Sequence, residues 1–251
     1  MARTLYDLSD TLSNATSEFE FNKHEITYIG PELTAVESEN WGLGPDYWPD
    51  GVAMSAEVVT LSTHSGTHVD APLHYGPAAG GGHTRAIDEV PLEWCYGDGV
   101  LLDLRACDRA AGITRPDVEA ELARIGHALK PLDIVLVRTG TDLKQPGYEQ
   151  RHAGLRVDAT EFLVDSGVRL IGIDAWGLDR PFELMLEDAR AGRAQFWESH
   201  LLGRRKEYCQ IERLANLDAL PRPTGFTVSA FPFKLEGASA AWARVVAIFD
   251  E

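Results

Sequence analysis

Along the chain, short runs of consecutive apolar residues alternate with stretches in which apolar positions recur every three or four residues. GVLLDL at 99–104 is bounded by turn residues and reads as a buried strand, as do DIVLVRT at 133–139 and VRLIGI at 168–173. Between the first two, Val118, Leu122, Ile125 and Leu129 recur at helical spacing behind a Thr114–Asp117 pair that resembles a capping box. Residues 158–167 read as a second helix ending at a glycine, and 181 to about 202 as a longer one with Pro181 in its first turn. Residues 226–234 and 243–249 return to strand, and the small residues GASAA at 237–241 read as the start of one. Strands separated by helices of this length imply crossover connections. The expected fold class is therefore α/β, with a mixed β-sheet, helices against it, and room for a second sheet layer.

Residues 1–60 follow neither period. Trp41, Tyr47 and Trp48 are scattered among Gly, Pro and Asn, which predicts turns, and the region 1–55 is expected to contribute to a pocket and to oligomer contacts. With no internal repeat, low-complexity tract or linker, residues 1–251 are expected to form a single domain.

Composition narrows the function. The 39 acidic and 23 basic residues give a formal charge of −16, a field that repels phosphate backbones and anionic membrane surfaces, so neither nucleic acid nor membrane is an expected partner. The N-terminus lacks a charged region followed by an apolar run, and no apolar segment approaches the ~20 residues of a membrane span. Cys95, Cys107 and Cys209 are odd in number and include no C-x-x-C pair, which fits inert thiols in a reducing, cytoplasmic setting.

The candidate chemistry lies in STHSGTHVDAPLHYG at 62–76, which gathers His64, His68, Asp70 and His74. A metal site, a nucleophile–base arrangement and an ordinary polar loop are the three readings. Gly66, Thr67, Val69 and Pro72 disfavour a helix, and an extended strand would hold the Cα atoms of His64 and His68 about 13 Å apart, a distance two imidazoles on one ion could barely bridge. A bend at residues 65–66 would bring the rings together, and glycine suits it. Two imidazoles and a carboxylate suit Zn²⁺, Mn²⁺ or Fe²⁺ with open positions, and His74 beyond Pro72 suits proton transfer near neutral pH. No G-x-S-x-G elbow occurs, and Cys209 has no histidine partner in sequence, so a hydroxyl or thiol nucleophile is unsupported.

These residues resemble a family pattern. H-S-G-T-H-V-D-A-P-L-H is similar to the H-x-G-T-H-x-D-A-P-x-H motif of the cyclase family, which includes bacterial kynurenine formamidases and isatin hydrolases. DIVLVRTG at 133–140, GVRLIGIDAW at 167–176 and IERLANLDAL at 211–220 resemble further family segments in the same order. The resemblance implies a swivelling β/β/α fold, assembled as a homo-oligomer, dimer or tetramer. It implies that His64 and His68 hold a first divalent metal, Zn²⁺ or Mn²⁺, that Asp70 can bridge to a second, and that His74 is the proton donor and acceptor. His200 in WESH and Glu212 in IERL match the pair completing a centre of one or two ions. The chain departs from the formamidases by extra residues at 37–53 and 180–196, and its opening lacks a "DLS…GMP" pattern. An early tryptophan lines the formamidase pocket, a place open here to Trp41 or Trp48, with Trp176 a further wall or plain core.

The expected activity is a metal-dependent hydrolase that opens an amide, lactam or lactone bond of a small aromatic or cyclic substrate. An arylformamidase acting on N-formylkynurenine is the narrower alternative. A metal-dependent lyase or cyclase, a structural metal, and a non-catalytic small-molecule binding module are the rivals.

Overall fold

The computed structural model describes residues 2–20 and 22–250. The chain divides into two compact units, one formed by residues up to Thr11 and from Gly66 onward, the other by Leu12–Ser65. In chain order the strands are β1 (Arg3–Asp7), β2 (Glu25–Ile29), β3 (Ala56–Thr60), β4 (His68–Asp70), β5 (Tyr96–Asp103) and β6 (Ile134–Arg138). They continue with β7 (Leu170–Ile173), β8 (Cys209–Glu212), β9 (Phe226–Ser229), β10 (Ala240–Trp242) and β11 (Val246–Asp250). The helices are α1 (Pro31–Glu37), α2 (Arg115–Ile125), α3 (Val157–Asp165), α4 (Phe182–Arg190) and α5 (Glu198–Leu202). No helix among the described residues is long and apolar enough to cross a membrane.

In the larger unit, nine strands form one sheet in the order β1-β11-β9-β5-β6-β7-β8-β4-β10. β5 through β8 run parallel, and antiparallel strands flank them on both sides, the mixed sheet that the pattern predicts. The apolar runs of the central strands are buried on both faces, as parallel strands must be. Leu101, Leu136 and Leu170 belong to one core. Val100, Leu102, Val135, Val137, Ile171 and Ile173 belong to the other, with Val118 and Leu122 of α2 and Leu163 of α3. Alternation of side chains along each strand divides one continuous apolar run between two layers.

Helix α2 opens on the expected capping box, the Thr114 N–H donating to Asp117 Oδ2 at 2.9 Å. It stops at Ile125 because Gly126 turns left-handed, so Leu129 packs against the core from beyond the helix. The long helix expected at 181–202 is two. After α4, Gly192 takes a φ of 67°, and the Arg193 N–H reaches back to the Asp188 carbonyl at 2.8 Å, a Schellman closure. Pro181 stands just before α4 rather than in its first turn. The strand expected at 226–234 ends at Ser229; Pro232, with no N–H to give a ladder, makes only a bridge to Ala243. The small residues at 237–241 lead, after a turn at Gly237, into β10.

The turns expected over residues 1–60 are interrupted by three strands and a helix. β1 owes its extended form to β11 at the far end of the chain, a pairing outside any local window. In the smaller unit β2 and β3 form an antiparallel ribbon, and every residue of β3 is exposed. Trp48 donates its Nε1–H to Ser38 Oγ at 2.8 Å and meets Tyr47 edge-on, while Trp41 is exposed.

Candidate metal centre

The chain bends where expected. Gly66 has a φ of 62°, left-handed backbone that a residue with a Cβ occupies at a cost, and β4 starts two residues later. β4 pairs antiparallel with β8 so that His68 faces Glu212 and Asp70 faces Gln210. Opposed residues in such a ladder have neighbouring side chains, and this register brings a glutamate from far along the chain to the histidine motif.

His68 Nε2 lies 3.3 Å from Asp70 Oδ1 and 3.6 Å from Glu212 Oε2, and all three residues are buried. On its other side the His68 ring places Nδ1 2.8 Å from the Gly66 carbonyl oxygen. That oxygen can only accept, so in the neutral ring Nδ1 carries the proton and Nε2 turns its lone pair toward the carboxylates. Burial pushes the His68 pKa down, but the charges of Asp70 and Glu212 outweigh it and hold it above the ordinary value. Oxygen and nitrogen donors thus converge within 4.8 Å of one another, a set that could hold a divalent cation. Two buried carboxylates this close to one another are costly without a positive partner.

His200 in α5 approaches the same group. Its Nε2 is 3.6 Å from Glu212 Oε1, and its Nδ1 is 2.5 Å from Asp179 Oδ2. The Asp179 carboxylate also accepts the backbone N–H groups of Ser199 at 2.7 Å and His200 at 3.1 Å, which fixes the start of α5 as well as the ring. Burial lowers the His200 pKa, and the hydrogen bond and charge of Asp179 more than restore it. A histidine oriented by a carboxylate at Nδ1 is the arrangement that presents Nε2 to a metal.

His74 follows in the turn Pro72–Tyr75, with Nε2 3.9 Å from Asp70 Oδ2 and a ring centroid 5.4 Å from that of His200. Unlike the buried donors it keeps a quarter of its side chain exposed. His64 is half-buried at the end of the Leu12–Ser65 unit, where its N–H donates to Ser62 Oγ at 3.2 Å. Trp176 is half-buried and packs edge-on against Trp197, whose ring lies 4.3 Å from that of His200. Trp41 and Trp48 belong to the smaller unit described above.

The sequence profile of the family described as "Putative cyclase" matches residues 6–180. The chain belongs to the cyclase family. It is similar to the kynurenine formamidase of Maricaulis maris, 30% identical over 83% of this chain and 85% of the relative. It is also similar to that of Delftia acidovorans, 31% identical over 98% of both. Among solved structures, isatin hydrolase A from Ralstonia solanacearum superposes with a TM-score of 0.76 at 23% identity, covering 99% of this chain and 92% of that one. As a member of the cyclase family the chain is an enzyme, a metal-dependent hydrolase.

The cyclase motif accounts for His68, Asp70 and His74, and resemblance alone pointed to His200 and Glu212. Asp179 and Trp197 were missed. Asp179 stands in GLDRP, where the only local signal is an acid shortly before a helix start, and its partner is 21 residues away. Trp197 is marked by a left-handed φ of 58°, which no residue pattern announces.

Proposed function

We propose that this hydrolase cleaves the amide C–N bond of a small N-acylated aromatic substrate, an arylformamidase activity. The reading is carried by the buried His68–Asp70–Glu212 donor group with His200 beside it and the partly exposed His74 at its edge. The two kynurenine formamidase relatives support the choice of bond. We assign His64, His68, Asp70, His200 and Glu212 as ligands of one or two ions, Zn²⁺ or Mn²⁺; His64 enters by its place in the motif. A bound divalent ion polarises a carbonyl and makes a reactive water available near neutral pH.

The remaining chemistry belongs to the side chains. The Gly66 carbonyl and the Asp179 carboxylate keep the proton of each liganding imidazole on Nδ1. His74 is exposed enough to exchange protons with solvent and close enough to Asp70 to be held in place, and it hands its proton to the leaving nitrogen. Trp197 and, behind it, Trp176 shield the site from water and face a flat substrate; Trp41 and Trp48 are proposed as further substrate contacts. The whole chain acts as one catalytic domain in a cytoplasmic homodimer or homotetramer. The exposed Tyr28, Trp41, Val58 and Val59 of the smaller unit support assembly.

Metal analysis of the purified protein combined with formate release from N-formylkynurenine and formanilide tests this reading. Bound divalent metal, with chelator-sensitive formate release, is expected. Acid release from cyclic amides alone would replace the formamidase reading by a ring-opening one. Product acid without ¹⁸O from labelled water would replace hydrolysis by elimination.

A further inference from the structure

Beside the proposed metal centre lies a cavity of about 300 Å³, bounded by His74, His200, Phe196, Trp197, Leu201 and Arg204 among others. Its volume suits a single ring with short substituents. Most of its wall is aromatic or apolar, and Arg204 is its one permanently charged group.

The position of that guanidinium is fixed by the backbone. Arg204 Nε donates to the Tyr75 carbonyl at 2.5 Å. The side chain lies against Gly76, where a Cβ would stand 2.7 Å from Nη2, and Gly76 itself has a φ of 90°. Among the described residues no ion pair to a carboxylate is formed by Arg204, whereas Arg156 pairs with Glu198 and Arg180 and Arg193 pair with Asp188. Arg204 thus brings a full positive charge, uncompensated by a carboxylate, to the wall of a cavity that holds no other permanent charge. With Nε engaged, the two Nη groups keep the planar fork that recognises a carboxylate.

We propose that Arg204 is the anion anchor of the substrate pocket and that the substrate is an aromatic amide bearing a carboxylate. Its ring is held by Phe196 and Trp197 and its carboxylate by Arg204. This rests on the hydrolase reading above and adds the residue that reads the substrate's carboxylate. Phe196 and Arg204 flank α5, at the end of the segment where the chain carries extra residues relative to the formamidases.

The test compares the metal-loaded wild type with Arg204→Met and Arg204→Lys, using formate release from N-formylanthranilate and from formanilide. The wild type should prefer the carboxylated substrate. Arg204→Met should cut that preference in kcat/KM by about tenfold to a hundredfold, the effect of losing a charge-assisted hydrogen bond. Arg204→Lys should keep part of it. A wild type without preference, or a preference that survives Arg204→Met, overturns the proposal. Benzoate binding, followed by tryptophan fluorescence, tests the anchor apart from turnover. Affinity should fall tenfold or more in Arg204→Met; no binding to the wild type, or equal affinity in both, overturns it. If neither formyl compound is cleaved while benzoate binding depends on Arg204, the formamidase reading fails and the anchor stands.

Discussion

Asp179 shows how much of a site rests on residues that touch no substrate. One carboxylate holds the His200 ring and the first turn of α5 together, so its loss would reach a bound metal through a proposed ligand left chemically intact. Asp179→Asn should weaken metal binding by about 10–100-fold, read by competition with a chelating dye. His74 should behave in the opposite way. It sits at the rim, partly exposed and 3.9 Å from Asp70, so His74→Ala should abolish turnover while metal content stays near that of the wild type. Metal loss in that variant would make His74 a ligand.

Elements that were legible in the sequence are those whose cause is local. The central strands are apolar runs buried on both faces, and the start of α2 is announced by Thr114 and Asp117, although its end at Gly126 falls short of the helical spacing that runs on to Leu129. Thr114→Ala should cost about 1 kcal/mol of stability, a fall in Tm of about 2–4 °C for a chain of this size. What stayed hidden has a distant cause. β1 is extended because β11 lies beside it, and residues 181–202 split because Gly192 turns left-handed, although their apolar spacing continues. The site divides in the same way. The histidine motif and its bend could be reasoned from residue types, but Glu212 meets His68 only through the β4–β8 register, which no short window contains.

For the molecule as a whole, acid tolerance should be governed in part by a histidine away from the donor group. His152 is buried, its Nε2–H donates to the Asp179 carbonyl at 2.9 Å, and burial pushes its pKa down to about 4. The unfolded chain titrates this group near 6.5 and so binds more protons between the two values. Stability from His152 is therefore complete above about pH 6.5 and declines as pH falls toward 4, by about 2 kcal/mol at pH 5. Urea midpoints at pH 7 and pH 5 measure it, and His152→Gln should flatten the difference.

β4 is only three residues long and has just β10, equally short, between it and the sheet's margin. Two donors on β4 and a third on β8 mean that a cation gripping all of them rivets a frayed hem to the middle of the cloth. Amide hydrogens of Val69 and Ala241 should then exchange faster once chelator is added, while those of Val135 and Ile171 keep their protection.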